Sequence, residues 1–293
     1  MVGTKSDKTW RGLSPEEIRR QFDMRVAVPE GQDFVASYLR RSEAARAKLK
    51  GVRGLRYGPL PLQTLDIFPA AAPGAPVVMF WHGGAWRSQS KDCFSYVAEP
   101  LVSSGACAVL VGYDLHPEVT LRQMMAEACE AIAWTWRNIA AYGGDPKRMV
   151  LCGHSAGAQL AGMALAHDFA RAGLPRSPAR GALLISGSYD MEPHRHHERY
   201  ADLGLDADLV HEASPACNPP LDPEVVLVLA AGAEETPGYI RQAETFCRKC
   251  QSRGHDARVL LSPGDHHFSV IERLGEPGHE MARALIALAL QSR

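Results

Sequence analysis

The chain has 293 residues, of which 46% are hydrophobic and 22% are charged, and its 32 basic side chains nearly balance its 33 acidic ones. This length allows one large α/β domain with a sizeable core. Because the chain has no excess of positive charge to attract nucleic acid or an anionic membrane, the composition argues against these two kinds of partner and favours a small-molecule partner.

The cysteine content and the polarity of the N-terminus bear on the cellular compartment. The seven cysteines are odd in number, and several lie in apolar runs, which argues against a disulfide framework. The N-terminus is polar and lacks the apolar core of a signal peptide, and no uninterrupted apolar run reaches about 18 residues. The sequence therefore predicts a cytoplasmic protein without a membrane segment, and it leaves open whether two copies form a homodimer.

The chain begins with a helical pattern. Residues 14–22 start with Ser14 as a candidate N-cap, Pro15 in the first turn and Glu17 at the capping-box position. We therefore expect an N-terminal helical arm over residues 1–50, ahead of the sheet.

Short aliphatic and β-branched runs then alternate with longer helical patterns, which is typical of a mostly parallel sheet with helices on both faces. We predict eight strands, in the runs 53–58, 62–68, 77–83, 106–113, 148–153, 181–187, 225–232 and 257–264. Apolar residues at helical spacing predict a crossover helix over 121–142 and a closing helix over 279–291. We expect the whole chain, 1–293, to form a single α/β domain.

A serine stands between two glycines where the fifth predicted strand meets a helical run. The stretch LCGHSAGA, residues 151–158, contains the pattern G-x-S-x-G, which also occurs by chance in unrelated chains. Here a strand precedes it and a helix follows it, so the hydroxyl of Ser155 would be lifted clear of the sheet, while Gly153 and Gly157 leave room for neighbouring segments. This context favours a nucleophilic serine over a polar residue in a turn.

A catalytic serine needs a histidine base and a carboxylate that orients the base. Where the serine lies on a strand-to-helix turn of this kind, both residues come after it along the chain, and the acid comes first. Glu234 and Glu235 follow the seventh predicted strand, and His266 and His267 follow the eighth. Only one residue of each pair can reach Ser155, because adjacent side chains in a turn point in different directions. The residues alone leave both choices open.

The third predicted strand ends in a His-Gly-Gly turn within HGGAW, residues 82–86. Glycines let backbone N–H groups approach a substrate closely, and such groups stabilise the oxyanion of a tetrahedral intermediate. We expect an oxyanion hole built from the amides of Gly84, Ala85 and Ala156. The other residues of the motif, which we expect beside the pocket, are His82, Gly83 and Trp86.

These residues resemble the kynurenine formamidase (arylformamidase) family of the α/β-hydrolase fold, which carries an HGGxW motif and a GHSAGA elbow, here HGGAW at 82–86 and GHSAGA at 153–158. Further stretches resemble the family in the same order along most of the chain, among them WRGLSPEEIRRQF, SGSYDMEP and DHHFSVIE. The family's acid precedes a short run that ends in an aromatic residue and Arg-Gln, which implies Glu235. Its histidine stands directly before phenylalanine, which implies His267.

The segment between the sixth and seventh predicted strands departs more from the family, and we expect residues 188–215 to form a cap-like insertion over the pocket. It contains three histidines, at positions 194, 196 and 197. Successive residues project in different directions, and no carboxylate or cysteine completes a recognisable spacing. We therefore predict no metal and no other cofactor, and a solvated or substrate-facing loop instead.

The sequence thus predicts a metal-independent serine hydrolase with Ser155 as nucleophile, His267 as base and Glu235 as orienting acid. The resemblance implies a small acyl substrate with an aromatic leaving group, a formyl group on an arylamine such as N-formylkynurenine, and a part in tryptophan catabolism. One alternative is a promiscuous carboxylesterase, because the same groups would cleave small acyl esters. The alternative from another class is a non-catalytic binding protein on a hydrolase fold.

Overall fold

The residues that the computed structural model describes, 11–291, form an eight-stranded sheet. Its strands are β1 (Val52–Arg56), β2 (Thr64–Phe68), β3 (Ala75–Trp81), β4 (Cys107–Val111), β5 (Gly144–His154), β6 (Ala179–Ile185), β7 (Val226–Gly232) and β8 (Ala257–Ser262). Across the sheet they lie in the order β1-β2-β4-β3-β5-β6-β7-β8, antiparallel at β1–β2 and β2–β4 and parallel elsewhere. The predicted eight-stranded, mostly parallel sheet is confirmed.

Helices precede the sheet and connect its strands. The α-helices are α1 (Pro15–Phe22), α2 (Met24–Ala27), α3 (Gly31–Lys48), α4 (Ala98–Ser103), α5 (Leu121–Asn138), α6 (Ala156–Leu165), α7 (Glu192–Arg195), α8 (Ala207–Ala213), α9 (Pro237–Gln251), α10 (Ser269–Glu272) and α11 (Glu280–Gln291). The 3-10 helices cover Lys91–Val97, Ile139–Tyr142, Phe169–Ala172, Glu198–Leu203 and Arg273–Gly275. The predicted crossover helix is α5 with a 3-10 turn at its end, and the predicted closing helix is α11.

Each face of the sheet carries its own hydrophobic core. Along β3, Val77, Met79 and Trp81 belong to one core, which also takes residues from α5 and α6. Val78 and Phe80 belong to the other, which takes residues from α3 and α11. Successive side chains of a strand point to opposite faces, so a strand covered on both faces is apolar throughout. This confirms the predicted helices on both faces.

The described part of the N-terminal arm, from residue 11, contains α1, α2 and α3. The predicted capping box starts α1, because the Ser14 hydroxyl accepts from the Glu17 N–H at 3.3 Å and the Glu17 carboxylate accepts from the Ser14 N–H at 2.7 Å. Such a cap contributes about 1 kcal/mol. Tyr38 and Ala45 anchor α3 in the core beneath it. Residues 1–10 of the predicted arm lie outside the described residues.

Residues 188–215 contain α7, α8 and the 3-10 helix between them. His194 and His197 are only 1% and 4% exposed, so the expectation of a solvated position is wrong for both. Neither lines the cleft that contains Ser155, whereas Ser188, Arg199 and Tyr200 of the same segment do. The physical reason is aromatic packing, since the His194 ring meets Trp86 edge-on with 5.5 Å between ring centroids. His196 is tied within α7 instead, its Nε2 lying 2.8 Å from Glu192 Oε1.

Within 11–291, no group of three or more His, Cys, Asp or Glu residues has a metal-binding arrangement. No helix in the same part of the chain combines the length and the apolar character needed to cross a bilayer.

Candidate active site

Ser155 occupies a strained position between β5 and α6. Its φ of 54° and ψ of −119° lie in a region that costs energy for any residue with a Cβ. The surrounding backbone enforces the geometry: the Ser155 N–H donates to the carbonyl of Ile185 at 2.9 Å, and its carbonyl accepts from the N–H of Ala158 at 3.0 Å. This backbone conformation directs the Ser155 side chain away from the sheet, at the carboxyl end of the strands.

Gly153 and Gly157 let backbone segments approach closely at this turn. A Cβ on Gly153 would lie 2.4 Å from the carbonyl oxygen of Gly157, and a Cβ on Gly157 would lie 2.2 Å from that of Trp81. Neither backbone oxygen can move without disturbing a strand or a helix. The two glycines of the G-x-S-x-G pattern are therefore a packing requirement of this turn.

His267 and Glu235 meet Ser155 above the sheet. His267 lies in the loop after β8, and its Nε2 is 3.1 Å from the Ser155 Oγ. The Nδ1 of the same ring is 2.9 Å from the Oε2 of Glu235, which follows β7. Both are hydrogen-bond distances, and a proton on Nδ1 that points at the carboxylate leaves Nε2 free to accept from the serine hydroxyl. The structure thus brings together the three residues that the sequence singles out.

The neighbours of these residues lie elsewhere. Glu234 is exposed, and its N–H donates to the carbonyl of Asp265 at 2.9 Å. The Nδ1 of His266 accepts from the N–H groups of Phe268 and Ser269, each at 3.2 Å, at the start of α10. His266 therefore caps a helix, which is the structural role that a histidine at this place often has. Of the two pairs that the residues alone left open, the side chains of Glu235 and His267 are the ones that lie within hydrogen-bonding distance of each other, and His267 also lies within that distance of Ser155.

The Glu235 carboxylate has two further donors. Ser186 Oγ donates to Oε1, and the N–H of Gly232 donates to the same oxygen at 2.8 Å. Charge-assisted bonds of this kind fix the carboxylate in one orientation. Sequence reasoning missed Ser186, whose left-handed φ of 51° directly follows β6. The sequence could have indicated Ser186 by its position, because it directly follows β6, the strand that pairs with the strand before Ser155.

His154 supports the loop that carries His267. Burial lowers the pKa of His154 well below its ordinary value, so its ring is neutral. Its Nε2 donates to the backbone carbonyl of His267 at 2.9 Å. The residue before the serine therefore helps to set the position of the histidine that faces the serine.

The turn after β3 lies directly against Ser155. A Cβ on Gly83 would lie 3.1 Å from the Ser155 Cβ, and Gly84 and Ala85 line the same cleft as the serine. Among residues 11–291, no hydrogen bond is donated by the amides of Gly84, Ala85 or Ala156. Ala156 is the first residue of α6, where an N–H has no acceptor within the helix. The amides of Gly84 and Ala85 in the cleft lining, and that of Ala156 next to the serine, are thus without a hydrogen-bond acceptor in the described part of the chain.

The remaining residues of the HGGAW motif have different positions. Trp86 lines the cleft, and its indole N–H donates to Gln159 Oε1 at 3.0 Å. His82 stacks beneath the turn on Tyr113, with ring centroids 4.4 Å apart. Burial lowers the pKa of His82 to about 4, and its Nδ1 donates to the carbonyl of Gly83 at 2.7 Å. His82 and Gly83 support the turn, and neither is among the residues that line the cleft.

The cleft above Ser155 encloses about 720 Å³, including the space at its open mouth. Its aromatic lining consists of Tyr38, Trp86, Tyr200, Tyr239 and Phe268. The N-terminal arm supplies Met24, Arg25, Gln32, Val35 and Tyr38, and residues 188–215 supply Ser188, Arg199 and Tyr200. Sequence reasoning missed these contributions, because no local pattern shows that the arm reaches the carboxyl end of the sheet.

Comparison with known proteins agrees with this architecture. A family model described as the alpha/beta hydrolase fold matches residues 78–268. The kynurenine formamidase of Danio rerio is 26% identical over 95% of this chain and 98% of its own. The isoprenylcysteine alpha-carbonyl methylesterase of Arabidopsis thaliana is 36% identical over 39% of this chain and 27% of its own. A solved structure from Silicibacter sp. has a TM-score of 0.78 and 25% identity, covering 92% of this chain and 97% of its own.

These findings confirm the resemblance to kynurenine formamidases, and the named relatives support a hydrolase that acts on acyl groups. The family model covers more than half of the chain, and the sheet and the serine turn have the arrangement of that fold. The chain belongs to the alpha/beta hydrolase fold family.

Proposed function

We propose that the protein is a serine hydrolase that removes a formyl group from an arylamine, as in N-formylkynurenine. The observation that carries the proposal is the continuous hydrogen-bond chain from Ser155 through His267 to Glu235, with links of 3.1 Å and 2.9 Å. This is the arrangement by which a base activates a serine hydroxyl. The likeness to kynurenine formamidases supports the choice of substrate.

The chemistry follows from the positions of these groups. His267 Nε2 takes the hydroxyl proton as the Ser155 Oγ attacks the formyl carbon, and Glu235 stabilises the resulting imidazolium through Nδ1–H. His267 then gives the proton to the arylamine nitrogen as the C–N bond breaks. Water, deprotonated by the same histidine, attacks the formyl-serine, so that formate leaves and the serine hydroxyl is restored.

The free amides of Gly84, Ala85 and Ala156 form the oxyanion hole in this scheme. The carbonyl oxygen becomes negatively charged in the tetrahedral intermediate, and preorganised N–H donors stabilise that charge more than they stabilise the neutral carbonyl. Loss of one such donor costs about 3–4 kcal/mol of transition-state stabilisation. Backbone donors at a strained turn and at a helix N-terminus also need no rearrangement when the charge develops.

The two ends of the substrate have different requirements. A formyl group needs little space beyond the oxyanion hole, whereas the arylamine needs a wide aromatic surface. Tyr200 and Tyr239 line the cleft, and the Tyr239 ring lies 4.8 Å from that of His267. We assign the leaving group to this side and residues 188–215 to a cap over it.

The test compares N-formylkynurenine with p-nitrophenyl acetate and butyrate as substrates of the parent protein and of Ser155→Ala. The proposal predicts a kcat/KM at least about tenfold higher for the formamide, and loss of several orders of magnitude in the variant. Turnover of esters alone would contradict the formamidase assignment. Inertness of the parent toward every acyl substrate would favour a binding protein.

A carboxylesterase is the second candidate. It is favoured by the 36% identity to a methylesterase over the region of this chain that the two share. The same residues would cleave an ester with little change, because an alcohol leaves more readily than an amine. The substrate comparison above separates the two functions directly.

A further inference from the structure

The charged residues that line the cleft are unevenly distributed in sign. The lining contains two histidines, its permanently charged side chains are Arg25 and Arg199, and among the described residues it includes no aspartate or glutamate. Arg25 comes from α2 in the arm, and Arg199 comes from the 3-10 helix between α7 and α8. Two cations from distant parts of the chain therefore face the space that contains Ser155.

A single buried carboxylate holds both guanidinium groups. Asp23, which is 2% exposed, accepts from Arg25 Nε at 3.0 Å and from Arg25 Nη2 at 2.8 Å, and from Arg199 Nη1 at 3.1 Å. Burial alone would raise the pKa of Asp23, but the hydrogen bonds of Arg25 and the charge of Arg199 outweigh it and lower the pKa to about 2. Asp23 is therefore ionised, and two positive charges against one negative charge leave one net positive charge.

Asp23 does not use all the donors of this pair. In the part of the chain that the structure describes, no hydrogen bond occupies Nη1 of Arg25 or the Nε and Nη2 of Arg199. The Arg199 side chain is 20% exposed and that of Arg25 is 59% exposed, so ligand atoms can reach both. A guanidinium fork matches the two oxygens of a carboxylate in geometry as well as in charge.

We infer that Arg25 and Arg199 form an anion subsite, which selects substrates whose leaving group carries a carboxylate. This rests on the proposed function, because a formyl group has no substituent that could bear the charge. The carboxylate must then belong to the arylamine side. The single net positive charge of the three-residue cluster matches the single negative charge of a carboxylate, and Asp23 fixes both arginines before the substrate arrives.

The test uses two formanilides that differ in one group: one carries a propanoate side chain, and the other carries the corresponding propanamide. The measured quantity is the selectivity ratio, the kcat/KM for the acid divided by that for the amide. We expect a ratio of at least about 10 in the parent protein, since hydrogen bonds to charged groups are about twice as strong as neutral ones. Arg25→Gln and Arg199→Gln should each lower the ratio about tenfold, mainly through the KM of the acid.

Arg20→Gln is the matched control. Arg20 lies on α1, five residues before Arg25, and pairs at the surface with Glu16 at 3.9 Å rather than lining the cleft. Its variant should keep the parent's ratio. Arg25→Lys keeps the charge without the fork and should restore part of the selectivity that Arg25→Gln loses.

A second measurement needs no variant. In the parent protein the KM for the acid should rise between about 50 mM and about 500 mM salt, whereas that for the amide should stay constant, because salt screens attraction between charges. A selectivity ratio near one, or a KM for the acid that salt does not change, overturns the subsite. If Ser155→Ala remains active on both formanilides, it is the proposed function that fails, whatever the ratio.

Discussion

Replacing Glu235 with glutamine tests the link between acid and base. The side chain keeps its shape, but one of its two oxygens becomes an NH₂ group. In the parent, the N–H of Gly232 donates to Oε1 at 2.8 Å. If the NH₂ group of the variant takes the Oε1 position, it meets this N–H, and two donors face each other. If it takes the Oε2 position, it donates to His267 Nδ1 and drives the ring proton onto Nε2, where the ring can no longer accept from Ser155.

Both arrangements are unfavourable, but the first lowers the stability of the fold and the second lowers turnover. A buried donor without an acceptor costs about 1–3 kcal/mol of stability. The wrong histidine tautomer costs about 10⁴-fold in turnover, as such a substitution does in serine proteases, which corresponds to about 5 kcal/mol in the activation barrier. Because the second arrangement avoids the clash with Gly232, we expect it to dominate, with a kcat about 10³–10⁴-fold below that of the parent and little change in KM.

The matched control is Glu234→Gln, one residue away and exposed. Both variants are assayed at saturating substrate, with circular dichroism and a melting curve to verify folding. The control should keep its kcat within about twofold. If Glu235→Gln stays within tenfold of the parent, or if the two variants rank in the opposite order, Glu235 does not orient the base.

Three further predictions concern other residues, and a fourth concerns metal removal. His267→Ala should lower kcat by several orders of magnitude, whereas His266→Ala should remove only a helix cap, costing about 1 kcal/mol in a urea melt with turnover nearly intact; the reverse ranking would move the base by one position. Gly157→Ala should abolish soluble expression or lower the melting temperature sharply, since its Cβ would lie 2.2 Å from the Trp81 carbonyl; parent-like melting would refute the packing argument. Burial raises the pKa of Glu127 from 4.5 to about 7, so between these pH values the folded chain holds a proton that the unfolded chain loses, and the free energy of unfolding falls as pH rises. Glu127→Gln should flatten this fall, which urea melts at several pH values between 4.5 and about 7 would measure. Dialysis against a strong chelator should leave turnover unchanged, and activity that zinc or manganese restores would assign a metal a role.

The sequence predicted the parts of the fold that local patterns encode. Central strands such as β3 are apolar at every position because both faces are covered, and this gives an unmistakable run. The turn around Ser155 was predictable for a similar reason, because close backbone approach leaves only glycine at positions 153 and 157.

Contacts between distant segments were beyond such patterns. Asp23 and Arg199 are 176 positions apart, and nothing in either local sequence indicates that the arm and the 188–215 segment meet at the cleft. The burial of His194 has the same origin, since it depends on the Trp86 ring, which comes from the turn after β3. Only tertiary structure decides whether a polar side chain faces water or an aromatic ring.

Covalent labelling tests whether Ser155 is an activated nucleophile. The parent protein and Ser155→Ala are treated with a fluorophosphonate, and the intact mass, the modified peptide and the residual activity are measured together. We expect a single adduct on Ser155 in the parent, activity lost in proportion to labelling, and no adduct in the variant. An adduct on another residue that accompanies inactivation, or full activity after complete labelling of Ser155, would contradict this role of Ser155.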